Sequence, residues 1–137
     1  MGEVAKGDSW SLLDMTFDSS ALDVVRSEVL AFSIRAGLAD DQAADVVLAV
    51  HELAANVVRH GGGKGRLRVW GRAEELHCQV DDGDLIVTAE PAAGLAPLPE
   101  HPGHGLWVAR QVTSQMQALS GPGGTRVTLT FERPAAQ

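Results

Sequence analysis

Four groups of residues in this sequence have types and spacings that could do chemistry. Glu52 and Asn56 lie four positions apart in LAVHELAANVVRHGGG, so on a helix they stand one turn from each other on the same side. A carboxylate and a carboxamide so placed can share a hydrated Mg²⁺ or orient a hydroxyl for proton removal. In VDDGDLI, Asp81 closes an expected strand beside Gly83, whose bare backbone permits close approach. Such a carboxylate can accept from an amino group like that of adenine. Gly103 and Gly105, followed by Leu106, stand at the mouth of an expected helix, where free N–H groups and the positive dipole end favour phosphate. Gly121, Gly123 and Gly124 run into Thr125 at the start of an expected strand.

Each group also has a plainer reading. Solvated helix faces and Asp-Gly or glycine-rich turns produce the same spacings without any ligand. Other constellations fail on their own terms. His51 and Glu52 begin a zinc-protease pattern, but Ala55 stands where its second histidine is needed. His101 and His104 have only Glu100 beside them and read as solvated loop residues. The one cysteine, Cys78, excludes an intrachain disulfide and a cysteine-based zinc cluster, and reads as a buried strand residue in a reducing compartment.

The elements that must position these groups can be read from periodicity and punctuation. Residues 10–17 form an expected strand, and Asp18, Ser19 and Ser20 offer N-caps, with Asp23 placed for a capping box. Leu22, Val25, Val29, Phe32 and Ala36 then recur at helical steps until Gly37. A second helix is predicted from Asp40 to His60, stopped by three glycines. Val46, Val50, Leu53, Ala54 and Val57 lie on one face of it, and Asp45, Glu52, Asn56 and Arg59 on the other. A hairpin over 66–70 and 76–81 follows. From 82 to 105 no period survives, which suggests a binding loop. A third helix over 106–115, a strand over 116–119, a turn at 121–124 and a strand over 125–132 complete the chain. The expected fold is a two-layer α/β (α+β) sandwich, with a mixed, mainly antiparallel sheet covered on one face by three helices.

Length and composition bound what such a fold can serve. With 137 residues, one domain is expected over 10–133, with tails at 1–9 and 134–137. Apolar residues make up 45% but aromatics only 4%, so the core should be built from small side chains. A net charge of −7 argues against nucleic acid and against an anionic membrane surface. The N-terminal residues lack the apolar run of a signal peptide, and no stretch is apolar enough to span a bilayer, so a soluble cytoplasmic protein is expected.

In this order and on this framework, the four groups resemble the boxes of the GHKL ATPases, and within them look like those of the bacterial anti-sigma-factor serine/threonine-protein kinases, over roughly residues 10–132. Glu52 and Asn56 occupy the positions of the N box. Asp81 and Gly83 are similar to the Asp-x-Gly-x-Gly of the G1 box, with Leu85 replacing the second glycine. GHGLWVARQV resembles the G2 box, Trp107 standing where many members carry a further glycine, and GGTRVTLTF resembles the last box. The resemblance implies a Bergerat-type ATP-binding fold with an ATP lid at about 84–105. By it, Glu52 would be the catalytic base and Asn56 would hold Mg²⁺ on the phosphates. Asp81 would take the adenine amino group, and Gly83, Gly103, Gly105, Leu106 and Thr125 would surround ATP.

It further implies a homodimer that sequesters a sigma factor and phosphorylates a STAS-type anti-anti-sigma partner. A complete sensor histidine kinase is not expected, since the length leaves no room for a phosphoacceptor helix pair. The rival reading is a catalytically weak or non-catalytic regulatory binding module on the same fold. Retention of Glu52 favours the enzyme, because nucleotide binding alone needs no base.

Overall fold

The computed structural model describes residues 9–87, 95–97 and 104–132. The chain opens with β1 (Ser9–Asp18), then α1 (Leu22–Arg35) and α2 (Asp40–His60). A hairpin of β2 (Lys64–Arg72) and β3 (Glu75–Asp82) follows, then a 3-10 turn over Gly83–Val87 and a two-residue strand β4 (Ala96–Pro97). The last elements are α3 (His104–Val112), β5 (Gln115–Gly121) and β6 (Gly124–Glu132). The six strands form one sheet in the order β1-β2-β3-β6-β5-β4, and every pairing among the described residues is antiparallel. With three helices this is the α+β sandwich anticipated from the pattern.

Strand alternation builds the core. Leu67 and Val69 of β2, Leu76, Cys78 and Val80 of β3, and Val127, Leu129 and Phe131 of β6 are all buried on the side that meets the helices. Val25, Val29 and Phe32 of α1, Val46, Val50, Leu53 and Val57 of α2, and Leu106 and Ala109 of α3 complete the cluster. Helix α2 packs against both α1 and α3 and rests on β2 and β3. Its buried arc is therefore wider than a single stripe, and Ala43, Ala49 and Ala55 are buried as well. For the same reason Asn56 is half-buried rather than on a freely solvated face.

The helix ends differ from expectation in two places. Asp18 does cap, accepting from the Ser20 N–H at 2.9 Å, but it caps a 3-10 turn over Ser19–Ala21. The first residue of α1 therefore lies later, and no capping box forms: its N-cap position, Ala21, has no side-chain bond, and Asp23 pairs with Arg26 instead. Helix α3 begins two residues early, at His104, and ends at Val112 rather than 115. Pairing with β6 takes the chain over there, since the Ser114 N–H donates to the Thr130 carbonyl at 2.9 Å. Helix α2 has its expected bounds, with Asp40 and Asp41 in its first turn and Arg59 and His60 in its last, each matched to the helix dipole.

Candidate functional site

A cavity of about 220 Å³ opens where the C-terminal half of α2, the end of β3, the first turns of α3 and the start of β6 meet. Asn56, Gly61, Asp82, Leu106 and Thr125 line it, over a floor that includes Leu53 and Val127. Two larger clefts, of about 420 and 590 Å³, hold none of the residues singled out from the sequence as site residues. The fold thus brings Asn56, Leu106 and Thr125 together from three elements far apart in the chain. Glu52 lies one turn before Asn56 on α2 and is half-buried, outside the cavity lining. Gly105 belongs to the first turn of α3. Gly103 lies outside the described residues, as does most of the expected lid.

Asp81 does not join them. Along β3, residues 76, 78, 80 and 82 face the helices, so Asp81 points to the opposite side of the sheet. There it is 0% exposed and accepts from Arg68 at 2.8 Å, from Arg126 Nε at 2.7 Å and from Gln79 at 3.2 Å. These bonds occupy its oxygens, and Asp81 does not line the recess that Asn56 lines. The carboxylate that lines the cavity is that of its neighbour, Asp82. Sequence reasoning missed Asp82, although the alternation of Leu76, Cys78 and Val80 carried one step further points to it.

The surroundings of Asp82 orient its two oxygens differently. Oδ1 accepts from the Thr125 N–H at 2.7 Å. Oδ2 lies against Gly61, where a Cβ would collide with it, so the glycine that ends α2 leaves this oxygen room. Burial raises the Asp82 carboxyl above its ordinary value; the Thr125 N–H works against that shift and nearby Asp81 adds to it. One oxygen is fixed, and the other, which has no donor among the described residues, can accept from one within a largely apolar recess, which suits the exocyclic amino group of a purine.

Gly83 serves this arrangement from behind. Its φ of +64° is in the left-handed region, and a Cβ there would lie 2.5 Å from the Gly123 carbonyl oxygen. The close approach lets the Asp84 N–H donate to that oxygen at 2.7 Å, joining the end of β3 to the turn that presents Thr125. Leu85, which replaces a family glycine, is 1% exposed but outside the main core cluster, and it does not line the cavity. Trp107 is 54% exposed and does not line the cavity either. Neither departure fills the recess.

The donor set also bears on a metal. Among the described residues no three Asp, Glu, His or Cys side chains cluster closely enough to hold a bare cation. Asn56, with Glu52 one turn away, instead fits Mg²⁺ that arrives on a triphosphate and keeps several of its waters.

A sandwich of this topology, with a carboxylate, a carboxamide and a threonine around a recess under α3, defines a nucleotide-binding domain of the GHKL kind. The model of the histidine kinase-like ATPase domain family matches residues 15–131, and the chain belongs to that family. It is also similar to a solved structure of the RsbU and RsbW domains of Rv1364c from Mycobacterium tuberculosis, with a TM-score of 0.64 and 26% identity. The match covers 92% of this chain and 34% of that one, so this chain spans about a third of the length of the protein it resembles. No curated protein matches it. Among the described residues, no helix is long and apolar enough to cross a membrane.

Proposed function

We propose that this protein is a Mg²⁺- and ATP-dependent serine/threonine-protein kinase that also acts as an anti-sigma factor. In this reading residues 10–133 are one ATPase domain of a cytoplasmic homodimer. It sequesters a sigma factor and phosphorylates a STAS-type anti-anti-sigma protein. The observation that carries the reading is the convergence of Asn56, Asp82 and Thr125 on one recess, with Glu52 one turn along the same helix. Asp82 takes the role expected of Asp81: its free oxygen accepts from the adenine amino group while Thr125 holds the other. Asn56 would hold Mg²⁺ on the phosphates, where the metal would supply neutralisation of phosphoryl charge. Leu106 walls the recess, and Gly105 lies in the first turn of α3, where backbone N–H groups suit phosphate.

Glu52 takes the proton of the attacking hydroxyl as its oxygen bonds to the γ-phosphorus and the bond to the bridging oxygen breaks, releasing ADP. Leu85 and Trp107 do not line the recess. The test is ATP calorimetry with and without Mg²⁺, paired with phosphoryl transfer to a purified STAS-type partner. Glu52→Gln is expected to bind ATP as the wild type does and to lose transfer by roughly 100-fold or more. Undiminished transfer removes Glu52 as the base, and absence of Mg²⁺-assisted ATP binding refutes the kinase.

A further inference from the structure

The face of the sheet turned away from the helices carries a second arrangement, centred on Arg66 of β2. Its Nε donates to Asp14 Oδ1 at 2.8 Å and its Nη2 to Asp14 Oδ2 at 2.6 Å, a two-pronged pair across β1 and β2. Its remaining nitrogen, Nη1, donates to the Ile86 carbonyl at 3.0 Å. Ile86 belongs to the turn Gly83–Val87, which directly follows Asp82 and packs against β2, β3 and β6. That turn has a second tether, the Asp84 N–H on the Gly123 carbonyl, and one apolar anchor in buried Leu85. The two tethers connect β1, the end of β3 and the turn between β5 and β6, and the last two are the segments that supply Asp82 and the Thr125 N–H. A planar guanidinium suits this place because it fills two lone pairs of a carboxylate and still has a donor for a carbonyl; an ammonium offers no such fixed fork.

We infer that Arg66, gripped by Asp14, is a positioning residue for nucleotide recognition: it holds the Gly83–Val87 turn so that Asp82 and Thr125 keep their relative placement. This rests on the ATP-binding reading of the cavity. Arg66 touches no nucleotide itself, since it projects from the opposite face of the sheet and acts through the backbone it holds. Asp14, although remote from the recess, belongs to the same device, because without it the guanidinium loses the partner that fixes its orientation.

The experiment compares wild type, Arg66→Ala, Arg66→Lys and Asp14→Asn by two measurements. The first is hydrogen exchange, without nucleotide, in a peptic fragment that contains residues 83–87. The second is ATP affinity by calorimetry at a temperature where circular dichroism shows every variant folded. Arg66→Ala is expected to speed exchange in that fragment and weaken ATP binding about tenfold, the equivalent of one charge-assisted hydrogen bond. Arg66→Lys is expected to rescue neither measurement, and Asp14→Asn to move both in the same direction by less. Unchanged affinity in Arg66→Ala, or weakened affinity with unchanged exchange, overturns the positioning role while leaving the ATP reading intact. A wild type that binds no ATP overturns both.

Discussion

Substitution of Asp82 by asparagine separates its two roles, as a ligand group and as a burden on the fold. In the native protein Oδ1 is occupied by the Thr125 N–H, and Oδ2, beside Gly61, has no donor among the described residues. Asparagine can keep the first bond with its carbonyl oxygen, but then presents an NH₂ where the carboxylate presented an acceptor. A purine amino group would meet a donor instead of a charged acceptor. Loss of a hydrogen bond to a charged group is worth about 1.5–3 kcal/mol, so ATP affinity should fall by roughly 10- to 150-fold.

Stability should move the other way. Burial raises the Asp82 carboxyl in the folded state, so its contribution favours folding below its unfolded value and is lost as the pH rises through the folded value. At neutral pH the ionised group therefore works against the fold, and Asp82→Asn should raise the melting temperature. Calorimetry with ATP and thermal denaturation at pH 7 measure the two effects on the same preparations. Full ATP affinity in this variant would refute the assignment of Asp82 to the nucleotide, and a lowered melting temperature would refute the account of its burial.

The neighbouring substitution should give the opposite pair of results. Asp81→Asn leaves the buried Arg126 guanidinium without its counter-charge, a loss of about 3–5 kcal/mol that should lower the melting temperature by roughly 10–15 °C. Its ATP affinity, measured well below the transition, should stay near wild type. Gly83→Ala forces a side chain into a left-handed φ and against the Gly123 carbonyl, so urea denaturation should show a loss of at least about 1–2 kcal/mol, with weaker ATP binding. Protonated Asp82 can no longer accept through both oxygens, so ATP affinity should begin to fall on acidification at a higher pH than an ordinary carboxylate would give, and a calorimetric pH series would show the onset.

The contrast between Asp81 and Asp82 also shows how far the sequence could be read. Helix α2 was legible end to end because acids open it and three glycines close it, and its i, i+4 spacing set Glu52 and Asn56 on successive turns of one helix. The hairpin strands were legible by alternation, but their ends were not, and β3 runs one residue beyond the predicted 81. That residue lines the recess while Asp81 does not, since one step along a strand moves a side chain from one face of the sheet to the other. Two adjacent aspartates at the strand end offer the same residue type to both faces, so composition could not choose between them. The two-residue strand β4, inside a stretch with no period, is held by pairing with Leu119 and Ser120 and had no local signal. The burial of Leu85 likewise depends on a backbone turn that only the folded chain creates. The motif pointed to Asp81, whereas the aspartate that lines the recess is its neighbour Asp82.

Cys78 sits at the middle of β3, wholly enclosed, and its thiol is pushed far above the usual range by that enclosure. Alkylating reagents attack thiolates, so in the native protein this sulfur should be silent. Because Val69 and Leu129 flank it on the two neighbouring strands, it becomes reactive only when the centre of the sheet separates. The rate of its modification is therefore a clock for opening of the whole sandwich, built into the natural sequence. A second cysteine placed at any surface position could be labelled beside it without background, giving a dye at a chosen site and an internal gauge of unfolding in one molecule.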